Sequence, residues 1–123
     1  GIKIVGKYEN TETKGLKQYI NTLCIENLST YEGRSNAAKS VLGKVSLIPI
    51  YVNRNTLLFP TKSIREYSCM YLNYFNILSI RKTDNVTSVI TFNDLTEVKV
   101  DISYYKLKNQ LKKSNEIMNN KKN

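Results

Sequence analysis

Residues 70–102 read MYLNYFNILSIRKTDNVTSVITFNDLTEVKVDI and contain three segments rich in apolar and β-branched side chains, at 70–82, 86–92 and 96–102. Polar turn sequences separate these segments, Thr-Asp-Asn at 83–85 and Asn-Asp at 93–94. In the third segment, apolar residues at 98, 100 and 102 alternate with charged ones, so one face of the strand should be buried and the other solvated. This pattern predicts three antiparallel strands joined as a meander.

A second strand region precedes the meander. The segments KVSLIPIYV (44–52) and TLLFP (56–60) flank the turn sequence Asn-Arg-Asn at 53–55, and together they predict a β-hairpin. Pro49 lies inside the first segment, where it cannot donate a ladder hydrogen bond. We therefore expect an edge strand or a bulge at that position.

Helical patterns occur on both sides of the strands. Apolar residues recur at three- and four-residue spacing over 13–25, which predicts an amphipathic helix. A short helix over 35–42 should end at Gly43. Ser103 is a candidate N-cap for a closing helix. One side of that helix is apolar, through Tyr104, Leu107, Leu111 and Met118.

These elements predict an α+β fold, with an antiparallel sheet (meander), N-terminal helices and a basic C-terminal helix. At this length the chain should form a single domain, which we place at residues 1–118. Residues 119–123 should form a disordered basic tail.

The stretch STYEGRSNAAKS, at 29–40, contains a candidate anion site. Gly33 can provide a turn with positive φ, and Ser35 or Asn36 can cap a helix that begins at Ala37. Arg34 would then lie on that turn, at the mouth of the helix. Its guanidinium could either hold an anion or hydrogen-bond neighbouring carbonyls to fix the turn.

The charge balance is strongly basic. The 123 residues include 19 Lys and Arg against 10 Asp and Glu, a formal net charge of +9, with a pI near 9.6. Such a balance favours a polyanionic partner, and nucleic acid is the leading candidate. Residues 103–123 contain six lysines and one acid, Glu116. This segment is either a solvated helix face or a contact for phosphates.

Several chemistries are excluded by residue type. The chain has no histidine, so it lacks a Cys-His or Ser-His catalytic pair, and its two cysteines lack metal-site spacing. Cys24 and Cys69 have apolar neighbours, and we expect two buried free thiols rather than a disulfide. The acids form no acid–base or metal motif, and no glycine-rich phosphate loop occurs. We therefore expect no catalytic residues, no cofactor and no metal.

No apolar run approaches the length of a membrane span, and the first residues do not form a signal peptide. We therefore expect a soluble, cytoplasmic protein with no membrane partner. The chain begins with glycine, which suggests a trimmed sequence or a fragment.

Linked motifs carry a family resemblance. STYEGRSNAAKSVLG at 29–43, then IPIYVNRNTLLFPTKS at 48–63, then a cysteine and an aromatic-rich strand, resemble the competence transcription factor family (ComK) of low-GC Gram-positive bacteria. The family pattern falls on Cys24, Tyr31, Gly33, Arg34, Pro49, Leu58, Phe59, Pro60, Thr61 and Cys69. Tyr71 and Tyr74 stand where the family has tryptophan and histidine. We interpret seven of the motif residues as structural: Cys24, Tyr31, Gly33, Phe59, Pro60, Thr61 and Cys69.

The resemblance implies an activator of competence (DNA uptake) genes that binds AT-rich promoter boxes in double-stranded DNA as an oligomer, largely through the minor groove. It also implies control by an adaptor of regulated proteolysis, although this chain ends soon after its Lys-rich helix and longer members have a further tail. A narrow AT-rich minor groove attracts Arg and Lys. Our candidate DNA-binding residues are Arg34, Lys39, Lys62, Arg65, Arg81 and Lys82.

Two alternatives accompany this interpretation. The chain could be a shortened paralogue that modulates a full-length activator or its adaptor through protein contacts. The nine tyrosines could stack on bases, although most of them occupy predicted core or half-buried strand positions. For the activator we expect at least a dimer on DNA, formed through an exposed strand edge or the stripe Leu107, Leu111 and Met118.

Overall fold

The computed structural model describes residues 2–6 and 15–122. Within them the chain forms three α-helices and seven β-strands, with one 3₁₀ turn at Tyr74–Asn76. The helices are α1 (Gly15–Glu26), α2 (Tyr31–Leu42) and α3 (Tyr104–Lys122). The strands are β1 (Ile4–Gly6), β2 (Ile50–Asn53), β3 (Thr56–Pro60), β4 (Met70–Asn73), β5 (Ile77–Lys82), β6 (Ser88–Phe92) and β7 (Glu97–Val100).

The strands form two antiparallel sheets, and the α+β prediction is confirmed. The first sheet has the order β1-β4-β3-β2, and the second has the order β5-β6-β7. The prediction of one sheet with a continuous strand over 70–82 is wrong, because the 3₁₀ turn divides that segment between the two sheets.

Asn73 explains the division. Its buried side chain accepts hydrogen bonds from the backbone amides of Leu57 (3.1 Å) and Phe75 (3.3 Å). Its amide nitrogen donates to the carbonyls of Ile2 (2.8 Å) and Asn55 (3.1 Å). These bonds satisfy backbone groups of three chain segments where β4 ends.

The hairpin β2–β3 forms as predicted, and β2 is an edge strand. It begins at Ile50, directly after Pro49, so residues 44–49 do not belong to it. Sequence analysis did not identify β1, a three-residue strand that pairs with β4 through Ile4 and Leu72. The predicted helix over 13–25 corresponds to α1, and residues 13–14 lie outside the described ranges.

Helix α2 begins earlier than predicted. Thr30 is the N-cap, and its side chain accepts a hydrogen bond from the amide of Gly33 at 2.9 Å. Gly33 and Arg34 therefore lie in the first turn of the helix, so the predicted positive-φ turn at Gly33 and the cap at Ser35 or Asn36 are wrong. Gly43 ends α2 with φ of +82°, and its amide donates to Lys39 O at 2.8 Å.

The core lies on both faces of the first sheet. On one face, α1 packs Leu16, Ile20 and Cys24 against strand residues that include Val52 and Tyr71. On the other, buried strand residues such as Phe59 and Leu72 meet the second sheet and α3. Both cysteines are buried and neither forms a disulfide, as their apolar neighbours predict.

Helix α3 is covered along its apolar side. Ser103 Oγ accepts from the amide of Lys106 at 3.2 Å, which agrees with its predicted capping role. Leu107 is fully buried, and Leu111 and Met118 pack against the core, so this stripe is not the free oligomer contact that we expected. The helix continues to Lys122, through residues for which the sequence predicts a disordered tail. Among the described residues, no helix is long and apolar enough to span a membrane.

Candidate nucleic-acid interface

Five cations lie along the surface shared by α2, the segment that follows it, and α3. The start of α2 faces the end of α3, where Arg34 and Lys121 line one cleft. The segment after α2 lies beside the middle of α3, where Lys113 Nζ donates to the carbonyl of Ser46 at 2.8 Å. We call these cations the α2–α3 basic face: Arg34, Lys39, Lys44, Lys113 and Lys121.

The first part of this face is the Arg34–Lys121 cleft, of about 220 Å³. The guanidinium carbon of Arg34 lies 5.1 Å from the ring centroid of Tyr51, and Lys121 Nζ lies 4.8 Å from the same centroid. Within the described residues, Arg34 Nε is buried without a hydrogen-bond partner. Arg34 Nε therefore makes no turn-fixing hydrogen bond to a described carbonyl, and the guanidinium contacts the Tyr51 ring.

The second part of the face is a shallow hollow after α2. Lys39 and Lys44 line it together with Gly43, Val45 and Ser46. Lys113 reaches the same segment through its bond to Ser46, and partial burial lowers the pKa of Lys113. Within residues 2–6 and 15–122, no acidic side chain lines this hollow or the Arg34–Lys121 cleft.

Two predicted cations follow β3 on another part of the surface. Lys62 Nζ lies 2.5 Å from Asp101 Oδ2 and donates to Ser68 Oγ at 3.1 Å. The hydrogen bond to Asp101 raises the pKa of Lys62. Lys62 also lines a separate hollow that includes Lys106. Arg65 is exposed in the connection between β3 and β4.

The last two predicted cations lie at the end of β5. Arg81 donates to both carboxylate oxygens of Glu97 across the second sheet, at 2.7 and 3.4 Å. This pairing raises the pKa of Arg81 and lowers that of Glu97. Lys82 is exposed at the strand end. The six predicted residues are therefore distributed over three regions, and two of them are already held in ion pairs.

Comparison with protein families identifies the chain. The family model described as ComK protein matches residues 3–122, nearly the whole chain. The chain belongs to the ComK family. This is a family of competence-related transcription factors. No curated protein and no solved structure matches the chain.

Several ComK motif residues hold the core together. Cys24 on α1 and Cys69, next to β4, are buried in the same cluster between α1 and the first sheet. Burial raises the pKa of Cys24, and the positive charge of nearby Arg34 opposes this shift only in part. Tyr31 OH lies 3.3 Å from Tyr71 OH in the same cluster. Burial raises the pKa of Tyr71, and this hydrogen bond makes a second, smaller contribution in the same direction.

The Leu-Phe-Pro-Thr motif joins the first sheet to α3. Phe59 is fully buried, and Pro60 O accepts from Gln110 Nε2 at 2.8 Å. Thr61 Oγ1 accepts from the amide of Met70 at 3.1 Å, which extends the pairing of β3 with β4. These contacts place the Leu-Phe-Pro-Thr motif in the scaffold that supports α3.

Three members of the basic face are not among the six DNA-binding residues predicted from the sequence. Lys113 and Lys121 belong to the Lys-rich segment 103–123, which the sequence leaves open as a solvated helix face or a contact for phosphates. Lys44 was not predicted, because nothing in its local sequence distinguishes it from other lysines. The four-residue spacing of Lys113, Ile117 and Lys121 was the available signal, since it places all three on one side of a helix. Ile117 is buried against Ala38 and Leu57, which turns that side toward α2.

Proposed function

We propose that this ComK-family chain is a transcriptional activator of competence genes that binds AT-rich promoter boxes in double-stranded DNA. The observation that carries the proposal is the α2–α3 basic face, whose cleft and hollow are lined by no acidic side chain in the described part of the chain. Cations without acidic partners can neutralise phosphates and release condensed counterions, which supplies much of the affinity of DNA-binding proteins. Such a protein would act in the cytoplasm.

Shape recognition accounts for the preference for AT-rich boxes. A narrow AT-rich minor groove has an enhanced negative potential, and it attracts Arg and Lys without a specific hydrogen-bond code. Exposed Lys39 and Lys44 are available for this role. The ion-paired side chains Lys62 and Arg81 would first have to leave Asp101 and Glu97.

Repeated boxes require repeated binding modules. A domain of this size covers about one box, so we propose that at least two copies assemble on promoter DNA. Strands β5 and β7 are the edges of the second sheet, and no other described strand pairs with their outer sides, so their backbone groups are available for such assembly. Light scattering at saturating DNA tests this directly, and a strictly monomeric complex would contradict it.

The function is tested by competition between two duplexes of equal length at one salt concentration. One duplex carries AT-rich promoter boxes, and the other is a scrambled sequence of the same base composition. We expect the promoter duplex to bind at least tenfold more tightly, because nonspecific attraction alone retains both equally. Equal affinity for the two duplexes would refute selective promoter binding.

A further inference from the structure

The Arg34–Lys121 cleft holds two positive charges against one aromatic ring. Both charges lie within 5.1 Å of the Tyr51 centroid, so they are separated by no more than twice that distance. This upper limit is close to the Debye length of about 8–10 Å near physiological ionic strength, and salt therefore screens their repulsion only in part. An anion bound in the cleft would reduce that repulsion.

One hydrogen-bond donor in the lining of the cleft is also unused. Arg34 Nε is buried without a partner among the described residues, and a buried donor left unsatisfied carries a desolvation penalty. The other lining side chains with polar groups are Ser40, Tyr51, Asn120 and Lys121, and none of them is acidic. Among the described residues, the cleft therefore combines one unpaired donor with two positive charges, and its lining contains no acidic side chain.

The size of the cleft limits its ligand. Its volume of about 220 Å³ is below the range of about 300–1,000 Å³ that is typical of small-molecule sites. Ala37 and Ala38 line it on the α2 side, where larger side chains would fill the space. A single phosphate group is compatible with this volume, and a whole nucleotide is not.

We propose that the Arg34–Lys121 cleft is a phosphate-binding site. Arg34 provides a planar set of N–H donors that suits phosphate oxygens, and Lys121 provides a second positive charge. The phosphate can belong to the DNA backbone or be a free ion, since both present the same charged oxygens. Assignment to the DNA backbone rests on the proposed function, whereas binding of the phosphate group does not.

Lys17 offers a matched control elsewhere on the surface. Its Nζ lies 5.3 Å from the ring centroid of Tyr31, so it makes the same kind of contact as Lys121 makes with Tyr51. The hollow around Lys17 is lined by an acid, Glu32, and by no second cation among the residues that the structure describes. Lys17→Gln and Lys121→Gln each remove one charge and one cation–aromatic pair, but only the second changes the cleft.

The first experiment titrates the ¹⁵N-labelled full chain with inorganic phosphate, replacing chloride at constant ionic strength. We expect saturable amide shifts at Arg34, Ala37 and Lys121. The affinity for phosphate that these shifts report should be unchanged in Lys17→Gln and at least tenfold lower in Lys121→Gln. Urea midpoints of both variants are measured to confirm that they are folded. Absence of saturable shifts in the cleft, or equal shifts in wild type and Lys121→Gln, would overturn the proposal.

The second experiment measures how affinity for the promoter duplex depends on salt, and it identifies the source of the phosphate. If the cleft holds a backbone phosphate, Lys121→Gln should reduce the slope of log affinity against log salt by about one, and Lys17→Gln should not. Phosphate shifts with an unchanged slope would support a site for the free ion and exclude the backbone. If the wild-type protein does not select the promoter duplex, the proposed function is refuted. The phosphate titration still shows whether the cleft binds phosphate.

Discussion

Gln110 Nε2 on α3 donates a hydrogen bond of 2.8 Å to the carbonyl of Pro60 at the end of β3. The same amide nitrogen donates to Leu47 O at 3.0 Å, and Gln110 is 1% exposed. One buried side chain therefore connects the C-terminal helix, the Leu-Phe-Pro-Thr motif and the segment after α2. These are the elements that align the basic face.

Replacement of Gln110 by leucine should destabilise the protein by about 1–3 kcal/mol, because the carbonyls of Pro60 and Leu47 would lose their shared donor. Urea unfolding measures the change. The neighbouring Asn109 is exposed, and Asn109→Ala is the control, for which we expect a change below about 0.5 kcal/mol. A stability of Gln110→Leu equal to that of the control would show that these bonds contribute nothing.

The start of α2 yields a prediction about Gly33. A Cβ added at Gly33 would lie 2.9 Å from Thr30 Oγ1, the oxygen that caps the helix. Gly33→Ala should therefore gain about 1 kcal/mol of helix propensity but lose a cap worth about 0.5–2 kcal/mol, with little net change. In a Thr30→Ala background the cap is already absent, so the same substitution should stabilise by about 0.5–1 kcal/mol.

Thermal or urea unfolding of the four proteins in this cycle tests the local structure. The positive-φ turn that we first predicted from sequence would make Gly33→Ala destabilising in both backgrounds. That result would contradict a helix start at Tyr31.

The buried thiol of Cys24 should make the folded protein less stable at alkaline pH. Burial raises the pKa of its thiol in the folded protein, so the folded state keeps a proton that the unfolded chain releases above about pH 8.5. Folding therefore becomes less favourable as the pH rises through that value. The stability advantage of wild type over Cys24→Ala should narrow between pH 7 and pH 9.5. A gap that stays constant would show that the thiol does not titrate differently in the two states.

Cations on the two surfaces should contribute differently to DNA binding. Lys39→Gln should lower the salt slope for the promoter duplex by about one, because exposed Lys39 lines a hollow without an acid. Arg81→Gln should leave the slope nearly unchanged, since Arg81 is bound to both oxygens of Glu97. Fluorescence anisotropy at four or five salt concentrations provides both slopes. A salt slope that falls in Arg81→Gln and stays unchanged in Lys39→Gln would place the DNA interface on the second sheet.

Local sequence patterns were sufficient to predict most helices and strands, because their apolar spacing also determines which faces are buried. They failed at Asn73, where the strand is divided by bonds to Ile2 and Asn55, residues far away in sequence. They also failed at Gly33. Gly-Arg after a tyrosine suggests a turn, and only the capping bond from Gly33 to Thr30 shows that the helix has already begun.

The candidate site was less predictable than the fold. Arg34 was identified from its motif, but its neighbours depend on how α3 packs against α2. Lys121 is 87 positions away in the chain and meets Arg34 only because both side chains reach Tyr51. The ion pairs could not be predicted from the sequence either, because nothing near Lys62 in sequence indicates its contact with Asp101.

The α2–α3 basic face is the proposed binding surface for promoter DNA. The most direct test is to titrate the ¹⁵N-labelled chain with an AT-rich promoter duplex and map the amide shifts onto the structure. We predict that the largest shifts occur at Lys39, Lys44, Lys113 and Lys121, with smaller shifts at the exposed residues of β5 and β7. Shifts concentrated on the second sheet, with the amides of the four lysines unchanged, would show that promoter DNA does not bind at the α2–α3 basic face.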